Sequence, residues 1–164
     1  FGSRRIAWRL IGHLQANKAR KALEIFDYID SLDSIELANR LNRISGEMNK
    51  ITRVLIEVNT SGEESKSGVS HQNFNKLVDN VIELKNLRLE GFMTVGPITD
   101  DEREIRNAFA ALRTLSENAR TRTGLELPTL SMGMSGDFEA AIAEGSTMVR
   151  IGTLLFGERD YTKH

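Results

Sequence analysis

Short apolar runs of β type alternate with amphipathic stretches of helical period along this whole chain. A sequence that alternates in this way folds as parallel strands joined by helices. The runs predict six strands, over residues 8–14, 27–32, 53–58, 89–95, 129–132 and 148–151. Between them, apolar side chains recur at i, i+3 and i+4 in three sets: Ile35, Leu37, Ala38, Leu41 and Ile44; Phe74, Leu77, Val78, Val81 and Ile82; and Ile105, Ala108, Phe109, Leu112 and Leu115. Such stripes are the core-facing surfaces of helices. Asp33 or Ser34 is placed to cap the second helix, and Ser70 the third, with Asn73 where a capping-box Glu would stand. Only Pro97 and Pro128 punctuate the pattern. Parallel strands joined by single helices form either an open doubly wound sheet or a (β/α)8 barrel, and both collect their sites at the carboxyl ends of the strands.

Composition narrows the function classes. With 164 residues, 40% hydrophobic and 27% charged, the chain is expected to form one domain over residues 1–164. A formal charge of -1 leaves no electrostatic footprint for nucleic acid, so no nucleic-acid partner is expected. The absence of cysteine removes disulfides, thiolate metal sites and thiol nucleophiles. Arg9 interrupts the first apolar run and no small-residue cleavage site follows, so that run does not read as a signal peptide. No apolar window reaches the ~20 residues that span a bilayer. A cytoplasmic protein without a membrane partner is the expectation.

Polar residues gather at the predicted strand ends: His13 with Gln15, Asn59, Met93 with Thr94, Ser131 through Ser135, and Arg150 through Thr153. Period-2 alternation puts Met148, Arg150 and Gly152 on one face of the last strand and Val149 and Ile151 on the other. The aliphatic pair faces the helices, so Arg150 points inward. A guanidinium there keeps its charge and takes either an inward carboxylate such as Glu57 or a ligand anion. The turns Leu130-Ser-Met-Gly-Met-Ser135 and Gly152-Thr153 each offer backbone N–H groups and hydroxyls at a strand end. Barrels often bind phosphate in the loops after their last two strands, and two such turns in succession point to a phosphate site. The loop over residues 59–68, with Glu63, Lys66 and Gly68, reads as a lid, a hydrogen-bonded brace or a solvated loop. His13 reads as an acid, a base, a stacking platform or a hydrogen-bonded structural residue. The three histidines lack a metal-like spacing, so no metal site is expected.

Four segments in order resemble the YggS/PROSC family of pyridoxal 5′-phosphate (PLP) homeostasis proteins over residues 8–161. They are Ile11-Gly-His-Leu-Gln-Ala-Asn-Lys18; Asn59, Ser61, Glu63 and Ser65-Lys66-Ser67-Gly68; Leu130 through Ser135 with Asp137; and Val149-Arg-Ile-Gly-Thr153 continuing to Phe156-Gly157. The resemblance implies a parallel (β/α)8 TIM-type barrel like the N-terminal barrel of alanine racemase, here incomplete, with about six βα units. It implies PLP at the strand carboxyl ends, with Arg150 facing the pyridine nitrogen. Ser131, Gly133, Ser135, Gly152 and Thr153 would hold the phosphate, and His13, Asn59 and Met93 would lie around the ring. The implied role is binding and carrying PLP without robust catalysis, with PLP-dependent apo-enzymes as partners. Two alternatives stand beside it: a racemase or lyase of the alanine racemase type, and a partial barrel that binds phosphate reversibly.

The departures concern the start of the chain. Family members carry the PLP lysine on the first strand in a Val-Ser-Lys-like motif, then a Phe-Gly-Glu-Asn motif at the end of the second. This chain opens at Phe1-Gly2-Ser3, with Ser3 where Glu is expected and a compressed connection through Arg4 to Ala7. Lys18 and Lys66 lie in matching motifs, but neither is at the Schiff-base position. A barrel lacking two strands leaves two parallel edges, so the expectation is either a fragment of a longer protein or a homo-oligomer formed through those edges.

Overall fold

The computed structural model describes residues 6–63 and 66–157. The residues of the opening Phe1-Gly2-Ser3 comparison, together with Arg4, Arg5, Ser65 and Tyr161, lie outside them. The described elements run β1 (Arg9–Leu10), a 3-10 turn (Ala16–Lys18), α1 (Ala19–Ile25), β2 (Tyr28–Leu32), α2 (Ile35–Glu47), β3 (Thr52–Glu57), α3 (His71–Ile82), β4 (Leu87–Met93), α4 (Glu102–Thr123), β5 (Thr129–Met134), α5 (Phe138–Ala143), β6 (Met148–Arg150) and α6 (Thr153–Phe156).

All strand pairs are parallel and the sheet order is β1-β2-β3-β4-β5-β6. Each strand therefore lies beside its successor in sequence. A doubly wound sheet must reverse direction at a switch point, and this one never does. The result is a curled part of a (β/α)8 barrel, with an outer core between sheet and helices and a separate inner face.

The outer core is built by the predicted stripes. Leu37, Ala38, Leu41 and Ile44 of α2, Phe74, Leu77, Val78 and Val81 of α3, and Phe109 and Leu112 of α4 are buried against Ile29, Val54, Ile56, Phe92, Leu130 and Met132 of the strands. Phe74 and Phe92 meet with ring centroids 5.0 Å apart, a tilted aromatic pair joining α3 to β4. Ile82 departs from its stripe: it ends α3 and is 40% exposed. Ser34 caps α2 by accepting from the Leu37 N–H at 3.3 Å, whereas the Ser70 side chain caps nothing. The longest helix, α4, starts on Asp101, which accepts from Arg103 N–H, and stops at Gly124 in the left-handed region.

Strand ends differ from the sequence expectation. β1 covers two residues rather than seven, because the chain turns away after Leu10 and the Ser31 hydroxyl donates to the Gly12 carbonyl at 2.6 Å. β4 begins and ends two residues earlier than predicted, and β5 runs two residues further, to Met134. Gly91 lets β4 and β5 approach. Its φ of 146° suits glycine, and a Cβ there would collide with the Thr129 carbonyl of the neighbouring strand.

A methyl group at that position has backbone rather than a flexible side chain to displace. Gly91→Ala is therefore expected to destabilise the fold by about 3 kcal/mol or more. Gly12→Ala, which meets nothing within 4 Å, should stay within about 0.5 kcal/mol of the parent. Urea unfolding of the two variants checks this, and equal midpoints would refute it.

Candidate functional site

The inner face of the sheet is polar, and its upper rung is set by parallel register. Glu57 pairs with Met93, Met93 with Ser131, and Ser131 with Met148. Glu57 and Met93 are the last residues of their strands, where barrels place their chemistry, while Ser131 lies inside β5 and Met148 opens β6. Met93 is fully buried between Glu57 and Ser131.

Arg150, at the end of β6, projects onto this rung. Its Nη1 donates to the Ser131 carbonyl at 2.9 Å and to the Ser131 hydroxyl at 2.8 Å, and its Nη2 donates to the Thr94 carbonyl at 2.8 Å. Sequence left open whether Arg150 takes an acid or an anion. Among the described residues it makes no ion pair with Glu57 and is held instead by the Ser131 and Thr94 carbonyls and the Ser131 hydroxyl. Burial pushes its pKa below the ordinary arginine value, opposed by the charges of Asp137, Asp30 and Glu57. Thr94, which the sequence places at the rim but to which it gives no binding role, is fully buried. Its hydroxyl donates to Val58 O at 2.8 Å, while its carbonyl takes the guanidinium.

The two glycine-hydroxyl turns meet at Ser135. Its Oγ accepts from the N–H of Gly152 at 3.2 Å and of Leu154 at 3.3 Å, across the start of α6. The hydroxyl proton of Ser135 and the hydroxyl of Thr153 have no acceptor among the described residues. Gly133, with φ of 95°, brings α5 against β5. A Cβ there would lie 2.6 Å from that of Ala141 and 3.0 Å from the Phe138 Cα. Asp137 Oδ1 accepts from the Met134 N–H at 2.6 Å and fixes the turn between them. Thus Ser135, Gly152 and Thr153 come together. Ser131 is placed instead at Arg150, fully buried, as its hydrogen-bonding partner.

Asn59 and His13 stand apart from that cluster. The Asn59 amide donates to Glu63 O at 2.7 Å, and its Oδ1 accepts from Gly62 N–H at 3.0 Å and from the Ser61 hydroxyl. Lys66 pairs with Glu63 at 2.7 Å and reaches Gly96 O at 3.4 Å. The loop is therefore a brace that ties the exit of β3 to the exit of β4. Gly68 permits its close return, because a Cβ would lie 2.6 Å from Asn59 N. His13 is exposed, with Nδ1 3.4 Å from Asp33.

The acids of the inner face differ in their pairing. Asp30, fully buried, takes two bonds from Arg9 at 2.7 and 2.9 Å. Burial nevertheless outweighs Arg9 and raises its pKa. Glu90 lies 3.1 Å from Arg88 and 3.7 Å from Arg53. Glu57 is 5% exposed and receives no hydrogen bond at its carboxylate among the described residues. Burial, helped by the charge of Asp33, pushes its pKa up to about 7 against the pull of Arg150 and His13. Among the described residues no group of histidine and acid side chains is arranged to hold a metal, and no helix is long and apolar enough to cross a membrane.

This geometry has known relatives. The family model of the alanine racemase N-terminal domain matches residues 5–160. The pyridoxal phosphate homeostasis protein of Aquifex aeolicus is 44% identical over 156 residues, covering 95% of this chain and 68% of that protein. Among solved structures, PipY of Synechococcus elongatus PCC7942 with PLP bound aligns with a TM-score of 0.86 and 36% identity, over 94% of this chain and 72% of that one. A protein from Bifidobacterium adolescentis aligns at 0.88 and 43% identity, over 92% of this chain and 61% of that one. The chain thus spans 68% of the Aquifex protein and 61% of the Bifidobacterium one. With that identity across nearly all of its length, and with the barrel rim and its arginine in place, the chain belongs to the alanine racemase N-terminal domain family and, within it, to the pyridoxal phosphate homeostasis proteins.

Proposed function

We propose that this chain, as a single barrel domain over residues 1–164, binds PLP at the carboxyl rim of its sheet and carries it for cofactor supply in the cytoplasm. PLP-dependent apo-enzymes are the recipients in this reading. The observation that carries it is Arg150, a permanent cation fixed on the inner rung by Ser131 and Thr94. The charge adjoins the Ser135–Gly152 turn, since Arg150 pairs with Met134 and stands two residues before Gly152. The donor set fits the cofactor. The Ser135 and Thr153 hydroxyls suit a phosphate, and the positive φ of Gly133 lets that turn form close to the strand end. The Arg150 guanidinium offers a cationic surface to a ring, and Met93 packs behind that rung, fully buried.

When bound, PLP supplies an electrophilic carbonyl and a pyridine ring that withdraws electrons. A guanidinium beside the ring nitrogen disfavours its protonation and so weakens that withdrawal. Ser131 and Thr94 keep the guanidinium oriented. These residues serve retention of the cofactor better than turnover, and that favours a carrier over a catalyst.

Arg150→Ala is expected to weaken PLP binding by roughly tenfold or more, the worth of a charge-assisted contact. Unchanged affinity in spectroscopic titration would remove Arg150 from the site. Ser135→Ala and Thr153→Ala combined should cost more than either alone if both hold one phosphate; if neither matters, the phosphate assignment fails. Intact mass after incubation with PLP and borohydride should show no stable adduct. A single adduct that maps to Lys18 or Lys66 would instead identify an imine-forming lysine.

A further inference from the structure

Glu57 is the acid on the inner face for which the fold provides no hydrogen-bond donor among the described residues. Each neighbouring element accounts for its own charges. Asp30 on β2 is held by Arg9. His13, after β1, faces Asp33, after β2. Glu90 on β4 lies between Arg53 and Arg88. Arg150 on β6 donates to Ser131 and Thr94. Glu57 is 5% exposed as a residue, its carboxylate oxygens still reach solvent, and like-charged Asp33 is close enough to disfavour its ionisation. A carboxylate that faces the inner side of the sheet with no protein donor is free to take its hydrogen bonds from a ligand.

The position of this acceptor is informative. Glu57 shares the rung of Met93 and Ser131, and the Ser131 hydroxyl takes the Arg150 guanidinium. An incoming ligand therefore meets a fixed cation and an uncompensated acid on one level of the barrel. An aldehyde oxygen only accepts hydrogen bonds, so it gives an ionised Glu57 nothing. A protonated primary amine donates up to three and also neutralises the repulsion from Asp33. The anion-accepting turn at Ser135 and Thr153 suits a phosphate on the same molecule.

We propose that Glu57 is a subsite for a protonated amine, so that the rim accepts the amine form of the phosphorylated cofactor, pyridoxamine 5′-phosphate, with its ammonium on the Glu57 carboxylate. This rests on the PLP-binding reading above and specifies which vitamer chemistry the site prefers when Glu57 is ionised. Protonation of Glu57 reverses the preference, because a neutral carboxyl can donate to the aldehyde. The groups that face it and set this balance are Asp33, Arg150 and His13.

The test is equilibrium binding of pyridoxamine 5′-phosphate and of PLP to the full chain by calorimetry at pH 6 and pH 8, for the parent and for Glu57→Gln. The phosphate is common to both ligands, so its own titration cancels in the ratio of their affinities. In the parent, the ratio of amine to aldehyde affinity should rise about fivefold or more from pH 6 to pH 8, as Glu57 ionises around its pKa of about 7. In Glu57→Gln the amine form should lose about tenfold at pH 8, the aldehyde form less than about threefold, and the pH dependence of the ratio should vanish.

The parent's pH dependence needs no variant, and the fold of Glu57→Gln is checked by thermal unfolding. The folded carboxyl is raised from 4.5 to about 7, so the native state holds the extra proton between those values, and parent stability falls as pH rises through that window. The glutamine variant should match the parent near pH 5 and melt higher at pH 8. Binding of PLP without pyridoxamine 5′-phosphate, or a ratio indifferent to both pH and the substitution, overturns the Glu57 proposal and leaves PLP binding standing. Failure of both ligands to bind the parent overturns the PLP reading and the Glu57 proposal with it.

Discussion

A guanidinium that keeps its charge sits on the inner face of the sheet, and three strands are arranged around it. Arg150 comes from β6, its acceptors come from Ser131 on β5, and a third bond runs to Thr94 beyond the end of β4. A carbonyl has two lone pairs, so the Ser131 oxygen can accept the Thr94 N–H at 3.1 Å and the guanidinium as well. Arginine, with five donors in a planar fork, can serve several acceptors at once. The contact orients the cation before any ligand arrives and ties together strands adjacent in the sheet. It depends on local devices that allow close approach. Gly91 admits β5 against β4, Gly133 admits α5 against β5, and the Thr94 hydroxyl locks its own residue to Val58.

Much of this architecture was legible in the sequence. The helical stripes of α2, α3 and α4 identify the outer core, because burial on a helix follows a fixed angular period that few residues violate. Ile82 breaks the rule because α3 stops there. Strand limits were less legible. They depend on when a neighbouring backbone stops pairing, as where Ser31 captures the Gly12 carbonyl and β1 ends. The caps Asp101 and Gly124 of α4 carried a readable signal, since an Asp before an acidic first turn and a glycine after the last turn are ordinary helix punctuation.

The site was legible by residue type more than by neighbour. Alternation in β6 correctly turned Arg150 inward, but it said nothing of which groups would meet the guanidinium. Backbone acceptors such as Thr94 O leave no mark in a sequence. Asn59 illustrates the same limit: an amide at a strand end can face a ligand or its own loop, and here the Ser-Gly-Glu stretch that follows supplies partners for both of its ends. Register shifts add a further obstacle. The irregularities between Val54 and Leu55 and between Ser131 and Met134 change the parity of alternation, and a period-2 reading cannot foresee them.

The inner face also shows how ionic pairing is distributed through the barrel. At the lower level, Glu90 is shared by Arg53 and Arg88, and Arg9 lies 3.7 Å over the Tyr28 ring while it clamps Asp30. The charges there satisfy one another, so that layer behaves as structure. At the upper level, the cation is held by neutral carbonyls and the acid by nothing on its own strands. Separating two opposite charges that could have paired raises the free energy of the unliganded fold. It also keeps both charges available. A guanidinium bonded only to dipoles retains its full attraction for an anion, whereas one clamped by Glu57 would be electrically spent. Burial, helped by the charge of Asp33, holds the Glu57 titration near neutrality, and closer approach to Arg150 would drive it back toward the ordinary carboxylate range. The sensitivity of the rim to pH is therefore set first by the burial of Glu57, then by the opposed charges of Asp33 and Arg150.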